Sequence, residues 1–318
     1  MPIEDLQVER SCKLINTLVD NIETVIVGKR EPVLLTVLSL VAGGHVLLED
    51  LPGLGKTSLV KALAKSIDCS FSRIQFTPDI MPSDVVGFSV YNQKTQDFEY
   101  RPGAVMANIV LVDEVNRASA KTQSALLEVM EERQVTVDSA TYTLAEPFMV
   151  LATQNPVESF GTYPLPEAQV DRFLIKLSMG YPGVENEKRI MLSGKAAKSS
   201  IRAVLTGDDI IWLRQAAEQV TVSDPVALYI VEIVEATRHH ADIKVGASPR
   251  GSIALMSLCC AYALSQGRGF VTPADVKHLV PFVLGHRIIL SHDAKADQKS
   301  AKDVLSAVVS SIAVPMGF

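Results

Sequence analysis

Five short apolar runs, separated by helix-like stretches, constrain this chain more than any other feature. They are His45 to Glu49, Phe71 to Phe76, Asn108 to Asp113, Phe148 to Ala152 and Phe173 to Leu177. Each is short and built around apolar residues, which reads as a strand buried on both faces. Strands alternating with helices predict βαβ units and a mostly parallel sheet covered on both sides. Ligands on such sheets bind beyond the carboxyl ends of the strands, so polar residues at those ends are where chemistry is to be sought. After Tyr181-Pro182 the strand pattern stops. Helices are predicted over Glu185 to Leu192, Asp208 to Val220, Pro225 to His240, Pro249 to Gln266, Thr272 to Leu284 and Ala301 to Ile312, with Ser193 to Ser200 a loop. Thr272-Pro-Ala-Asp275 has the hydroxyl cap, early proline and early acid of a helix start. The expectation is an α/β domain over residues 1–182 and a small all-α domain over 183–318, which suits 318 residues at about 150 per domain. Two hairpins are expected inside the first domain, near 87–101 and near 134–145, the second turning at Ser139-Ala140.

Composition narrows the class. The 36 acidic residues against 30 basic ones give a net charge of −6, which argues against non-specific nucleic-acid binding. Mean hydropathy is +0.22, so membrane insertion has to be considered. The longest charge-free run, Pro32 to Leu48, is broken by Gly43-Gly44 and reads as a buried helix, a turn and a buried strand, not as a membrane span. The acidic start Met1-Pro-Ile-Glu-Asp lacks the features of a signal peptide. Cys12, Cys69, Cys259 and Cys260 form no C-x-x-C pair and are expected to be reduced core thiols of a cytoplasmic protein. His239, His240 and His286 are expected to be packing or surface residues, not metal ligands.

Four strand ends or their neighbours carry polar constellations. Asp50-Leu-Pro-Gly-Leu-Gly-Lys-Thr57 follows an apolar strand and precedes the amphipathic stretch Ser58 to Ser66, the setting that a phosphate-binding loop requires. Gly53 and Gly55 permit the backbone to turn its N–H groups toward phosphate oxygens, and the helix end adds its dipole. Lys56 would reach the β- and γ-phosphates and Thr57 would hold Mg²⁺; with Pro52, Leu54 and Ser58 these residues form the expected phosphate contact. The pattern departs at its first position, where Asp50 stands in place of glycine. Asn108 to Asp113 runs into two acids, suiting Asp113 to the Mg²⁺ shell and Glu114 to polarising a water. Asn155, at the end of the next apolar run, is placed to orient that water or to bond the γ-phosphate. Arg172, in Leu165-Pro-Glu-Ala-Gln-Val-Asp-Arg-Phe173, would supply charge to a transition state in a neighbouring subunit; the competing reading is a surface ion pair with Asp171. Arg250, in Gly246-Ala-Ser-Pro-Arg250, would fold down onto the phosphates from the second domain.

These elements in this order resemble the AAA+ ATPases. Arg73-Ile-Gln-Phe-Thr-Pro-Asp-Ile-Met-Pro-Ser-Asp84, Val112-Asp-Glu-Val-Asn-Arg-Ala118 and Ala152-Thr-Gln-Asn-Pro156, with the Arg172 segment, are similar to the MoxR family. The resemblance runs from about Val27 to Arg287. It implies a P-loop NTPase core with a parallel five-stranded sheet, a small helical lid, and ATP with Mg²⁺ as ligands. It further implies a hexamer with nucleotide between subunits, an arginine finger at Arg172, sensor residues at Asn155 and Arg250, and adenine contact by Val27 and Gly28. Partners carrying von Willebrand factor A domains, matured or activated by a chaperone-like ATPase, belong to the same expectation. The hairpins would lie toward a pore or axial face, or would simply cover sheet edges. Gln75 would couple ligand contact to Glu114. Alternatives are a magnesium-chelatase-like motor subunit or, against the net charge, a DNA-acting motor; no N-K-x-D guanine motif is present.

Overall fold

The computed structural model describes residues 3–51, 53–155, 163–193 and 201–316. From the amino end, α1 (Asp5–Glu23) and α2 (Arg30–Val41) precede β1 (Val46–Glu49), α3 (Lys56–Ser66) and β2 (Phe71–Gln75). A short α4 (Pro82–Val86) leads into the hairpin β3 (Gly87–Asn92) and β4 (Asp97–Pro102), then β5 (Ile109–Asp113) and a single 3-10 turn over Val115–Arg117. Next come α5 (Ala120–Glu132), the hairpin β6 (Gln134–Val137) and β7 (Ala140–Thr143), β8 (Met149–Gln154), α6 (Glu167–Val170) and β9 (Ile175–Leu177). The rest comprises α7 (Val184–Ser193), α8 (Gly207–Glu218), α9 (Asp224–His239), β10 (Ile243–Val245), α10 (Pro249–Ser265), α11 (Pro273–Leu284), β11 (Ile289–Leu290), α12 (His292–Ala296) and α13 (Ala301–Ser311).

All five apolar runs enter one parallel sheet in the order β2-β5-β8-β1-β9. Successive side chains on a strand point to opposite faces, so each run feeds two cores. Ile109, Leu111, Met149 and Leu151 join the cluster built on α1, α2 and α3, whereas Val110, Val112, Val150 and Ala152 join the cluster built on α5. That two-sided burial is why β1, β5 and β8 lack polar alternation, whereas the edge strands β2 and β9 carry Arg73, Gln75 and Lys176.

The charge-free run resolves as expected, into α2, a turn with Gly43 at φ 71°, and β1. α2 is buried from Leu35 to Val41, and its Thr36 and Ser39 hydroxyls donate to the carbonyls of Pro32 and Leu35, each at 2.7 Å. A polar side chain satisfied within its own helix costs little to bury. Among the described residues, no helix is long and apolar enough to cross a membrane.

Both hairpins form, as separate two-stranded sheets not hydrogen-bonded to the central one. The second turns at Asp138-Ser139, one residue before the expected position, with Asp138 at φ 54°. Tyr100 of the first stacks on Tyr142 of the second at 4.0 Å between ring centroids. Phe88, Tyr91 and Phe98 of the first are exposed.

The helices after Tyr181 lie within a residue or two of expectation, and Thr272 caps α11 through reciprocal bonds with Asp275. The segment is not purely helical, however. β10 and β11 pair antiparallel through Ile243 and Leu290, and α12 is an extra turn. Strands of three and two residues are too short to leave a period in the sequence. α1, for which no expectation was drawn, packs against α2, α3, α8 and α10, so one apolar cluster continues from the sheet into the carboxyl-terminal helices. The four cysteines are free, and Cys259 and Cys260 are buried in α10. His239 meets Glu235 at the surface, and His286 bonds the Phe173 carbonyl. Most of the expected Ser193 to Ser200 loop, residues 194–200, lies outside the described residues.

Candidate nucleotide site

The carboxyl ends of β1, β5, β8 and β2 converge on one cavity of about 340 Å³. Gly53, Gly55, Lys56, Thr57 and Ser58 form one wall. Asp113 and Glu114, with Thr153 and Asn155, form a second, and Arg73 and Gln75 close the edge. The structure therefore brings together Lys56, Thr57, Asp113, Glu114 and Asn155, residues spread over three separate strand ends in the sequence.

The loop geometry follows from its glycines. Gly53 and Gly55 have φ of 87° and 86°, the left-handed region that a side chain disfavours, and a Cβ built on either meets nothing within 4 Å. The backbone faces open space there, as an anion cradle requires. Gly55 is also the residue that opens α3, so the helix N-terminus points at the same space. Leu54 is half-buried against the core; Pro52 lies outside the described residues. Lys56 Nζ donates to the Asp50 carbonyl at 2.7 Å. Burial pushes its pKa down, against the charges of Asp50, Asp113 and Glu114.

Asp50 explains the departure at the first loop position. Its buried carboxylate accepts from the Ser178 hydroxyl at 2.7 Å, from the Gly180 N–H at 3.2 Å and from the Met179 N–H. It fastens the start of the phosphate loop to the exit from β9, which a glycine cannot do.

The acid pair has two different environments. Asp113 is nearly buried; its Oδ1 accepts from the Thr153 hydroxyl at 3.3 Å, and its Oδ2 lies 2.7 Å from Arg73 Nε. Glu114 has left-handed φ and ψ of 56° and 53°, and its N–H donates to Thr153 Oγ1 at 2.9 Å. A non-glycine residue in that region costs about 1 kcal/mol, and the turn is what brings the Glu114 carboxylate into the cavity. That carboxylate lies 2.9 Å from Arg117 Nε. The expected partner, Gln75, lines the same cavity.

A second cavity of about 360 Å³ shares Thr57 and Ser58 and continues past Ala62, Lys61 and Lys65 to Val25 and Ile201. It lies beside the first cavity at the start of α3. Val27 and Gly28 line neither of these two cavities; Val25 does, and Gly28 packs on the Asn186 side chain, where a Cβ would stand 2.1 Å from Nδ2.

Arg172 and Arg250 lie elsewhere. They line a cleft of about 310 Å³ where the lid meets the core, and both close on Glu131: Arg172 Nη2 at 3.0 Å from Oε2, Arg250 Nη2 at 2.6 Å from Oε1. Arg250 thus does not line the phosphate cavity of its own chain, because its guanidinium is held on Glu131 near the carboxyl end of α5. Nor does Arg172 pair with Asp171, whose carboxylate takes the buried Arg287 at 2.7 Å and the Ser248 hydroxyl at 3.0 Å. Arg73, Thr153, Arg117 and Glu131 are site residues that the sequence reading passed over. Arg73 did leave a trace, as a charge two residues before the polar end of an apolar run; Glu131 left none.

Comparison with known proteins gives the family. The profile of the ATPase family associated with various cellular activities matches residues 45–175, and that of the AAA lid domain matches residues 235–308. Chaperone MoxR1 of Mycobacterium tuberculosis is 42% identical over 92% of this chain and 80% of its own length. The chain belongs to the MoxR family of AAA+ ATPases. YeaC, an uncharacterized protein of Bacillus subtilis, is 52% identical over 95% of both chains. A crystal structure from Cytophaga hutchinsonii superposes with a TM-score of 0.91 at 40% identity, covering 97% of each chain. The MoxR likeness therefore spans nearly the whole molecule, and the lid has a family model of its own.

Proposed function

We propose that this MoxR-family chain hydrolyses ATP with Mg²⁺ as one subunit of a ring, a hexamer, and uses the cycle to remodel or activate a partner protein carrying a von Willebrand factor A domain. One observation carries the reading. Lys56, Thr57, Asp113, Glu114 and Asn155 surround a single cavity, while Arg172 and Arg250 stand together outside it on one carboxylate.

The residues fit the ligands. The open faces of Gly53 and Gly55 suit a phosphate chain, and a hydroxyl with a carboxylate, Thr57 and Asp113, is a hard-oxygen pair suited to Mg²⁺. Bound magnesium neutralises charge on the transferring phosphoryl group. The chain's own part is the rest. Lys56 leaves the Asp50 carbonyl for the phosphates, Glu114 leaves Arg117 to take the proton of the attacking water, and Asn155 holds that water in line. Arg172 and Arg250 offer positive charge to the neighbouring subunit's site, an effect worth about 10³–10⁵ in rate. The exposed aromatics of the β3–β4 hairpin, Phe88, Tyr91 and Phe98, offer a partner an apolar grip. A protein partner, not a nucleic acid, suits the net charge of −6.

The test is ATP hydrolysis per subunit over a wide range of protein concentration, with Glu114→Gln as the blank. A specific rate that climbs and saturates, about 10²-fold or more above the blank, is expected. A flat rate from a chain that is monomeric by sizing would overturn the ring.

A further inference from the structure

Arg73 sits on β2 two residues before Gln75, so both side chains emerge on one face of the strand, and both reach the phosphate cavity. β2 and β5 are paired with Gln75 opposite Asp113, which brings the long Arg73 side chain up beside the end of β5. Its Nε lies 2.7 Å from Asp113 Oδ2. The other Asp113 oxygen takes the Thr153 hydroxyl, so both oxygens are engaged. The two partners differ in freedom: the Asp113 side chain is 11% exposed, that of Arg73 48%. One is fixed in the wall, and the other has open space to swing into.

We infer that Arg73 is a positioning residue that takes the place of the metal at Asp113: it balances the buried carboxylate whenever magnesium is absent and gives it up when magnesium arrives with nucleotide. The inference rests on reading the cavity as a Mg-nucleotide site and goes beyond it. A carboxylate nearly removed from water is held in place by an opposite charge, and a guanidinium and a divalent ion compete for the same oxygen. A triphosphate without metal, entering beside an unbalanced Asp113, meets repulsion in a medium less polar than water. Arg73 cancels that repulsion. When the ion is present, Arg73 is instead a competitor. Its presence therefore raises affinity for free nucleotide, lowers affinity for magnesium, and flattens the magnesium dependence of binding.

The experiment titrates a fluorescent, non-hydrolysable ATP analogue into the wild-type chain, Arg73→Gln and Arg73→Lys, in EDTA and in saturating Mg²⁺. The quantity read is the ratio of Kd in EDTA to Kd in Mg²⁺. That ratio is expected to rise about tenfold in Arg73→Gln, chiefly through weaker binding in EDTA, with half of Arg73 in water limiting the effect. Arg73→Lys keeps the charge and is expected to change the ratio less, in the same direction. Thermal melting establishes that each variant is folded; should Arg73→Gln not fold, the shift in Arg73→Lys decides. An unchanged ratio overturns the inference. A lower ratio also overturns it, because Arg73 would then be a ligand of the metal-bound nucleotide. If the wild-type chain binds the analogue in neither condition, the Mg-nucleotide reading itself falls, and the inference with it.

Discussion

His45 shows how a single side chain can tie stability to pH. It is buried at the start of β1, where its Nδ1 accepts the Val150 N–H at 3.0 Å. That bond fixes the proton on Nε2, which donates to the Met130 carbonyl at 3.1 Å. One ring thus fastens the sheet to α5. Burial, with Arg133 and Arg214 nearby, pushes its pKa down to about 4, against the pull of the Met130 carbonyl. The unfolded chain titrates near 6.5, the ordinary value. Above that pH both states are neutral and the contribution is fully present. As pH falls below it, the unfolded chain takes up a proton that the folded chain refuses, and stability declines by about 1.4 kcal/mol per unit until the folded pKa is reached. Urea melts at pH 7 and pH 5 should therefore show a smaller gap in His45→Gln than in wild type, by about 2 kcal/mol. His286, also depressed by burial, stays in both proteins and cancels in the comparison. Equal gaps would mean that His45 is not held neutral.

At the scale of elements, the phosphate loop is stiffened by a partner far along the chain. Asp50 joins β1 to the segment leaving β9, and its acceptors hold the Met179 and Gly180 amides. Asp50→Gly would restore the usual first loop residue, keep the cradle at Gly53 and Gly55, and strand those amides. Leaving a buried donor unpaired costs about 1–3 kcal/mol, and Met179 is buried while Gly180 is half-buried, so the midpoint of unfolding should fall by an amount equivalent to about 2 kcal/mol, and hydrogen exchange at Met179 and Gly180 should quicken. A variant as stable as wild type, with unchanged exchange, would show the carboxylate to be idle. Nothing at position 50 reveals this partner, because the sequence carries the donor set only as Ser178 and two backbone amides. The strands themselves were legible, since the buried central ones leave short apolar runs, and so were Lys56, Thr57, Asp113, Glu114 and Asn155, since each marks a strand end or a helix start. What local pattern does not carry is orientation between elements. It missed the β10–β11 ribbon, the placing of α1 against the lid, and the side of the core on which Arg250 lies.

On the scale of the whole molecule, that last point changes which site Arg250 can serve. The lid is fixed to the core by the buried Arg287, which bonds the Asp171 carboxylate and the Phe173 and Leu174 carbonyls, and by Ser248 on Asp171. Ser248 immediately precedes α10, so this anchorage sets where Arg250, in the first turn, must emerge: beside Arg172, on Glu131. Two arginines from distant parts of the chain then share one carboxylate, away from the Lys56 cavity. In a ring, a residue acting on its own nucleotide and one acting on the neighbour's differ in complementation. Arg172→Ala and Arg250→Ala should each retain nucleotide binding and lose most hydrolysis. Either one, mixed with Glu114→Gln subunits that carry both arginines, should regain activity, because the intact Glu114 of the first protein is completed by the arginines of the second. With subunits mixed at random in equal parts, about half of the Glu114-bearing sites gain such a neighbour. If Arg250 served its own site, mixtures with Arg250→Ala would stay inactive while those with Arg172→Ala recovered. The seam at Asp171 predicts recovery in both, and steady-state hydrolysis across mixing ratios reads the difference.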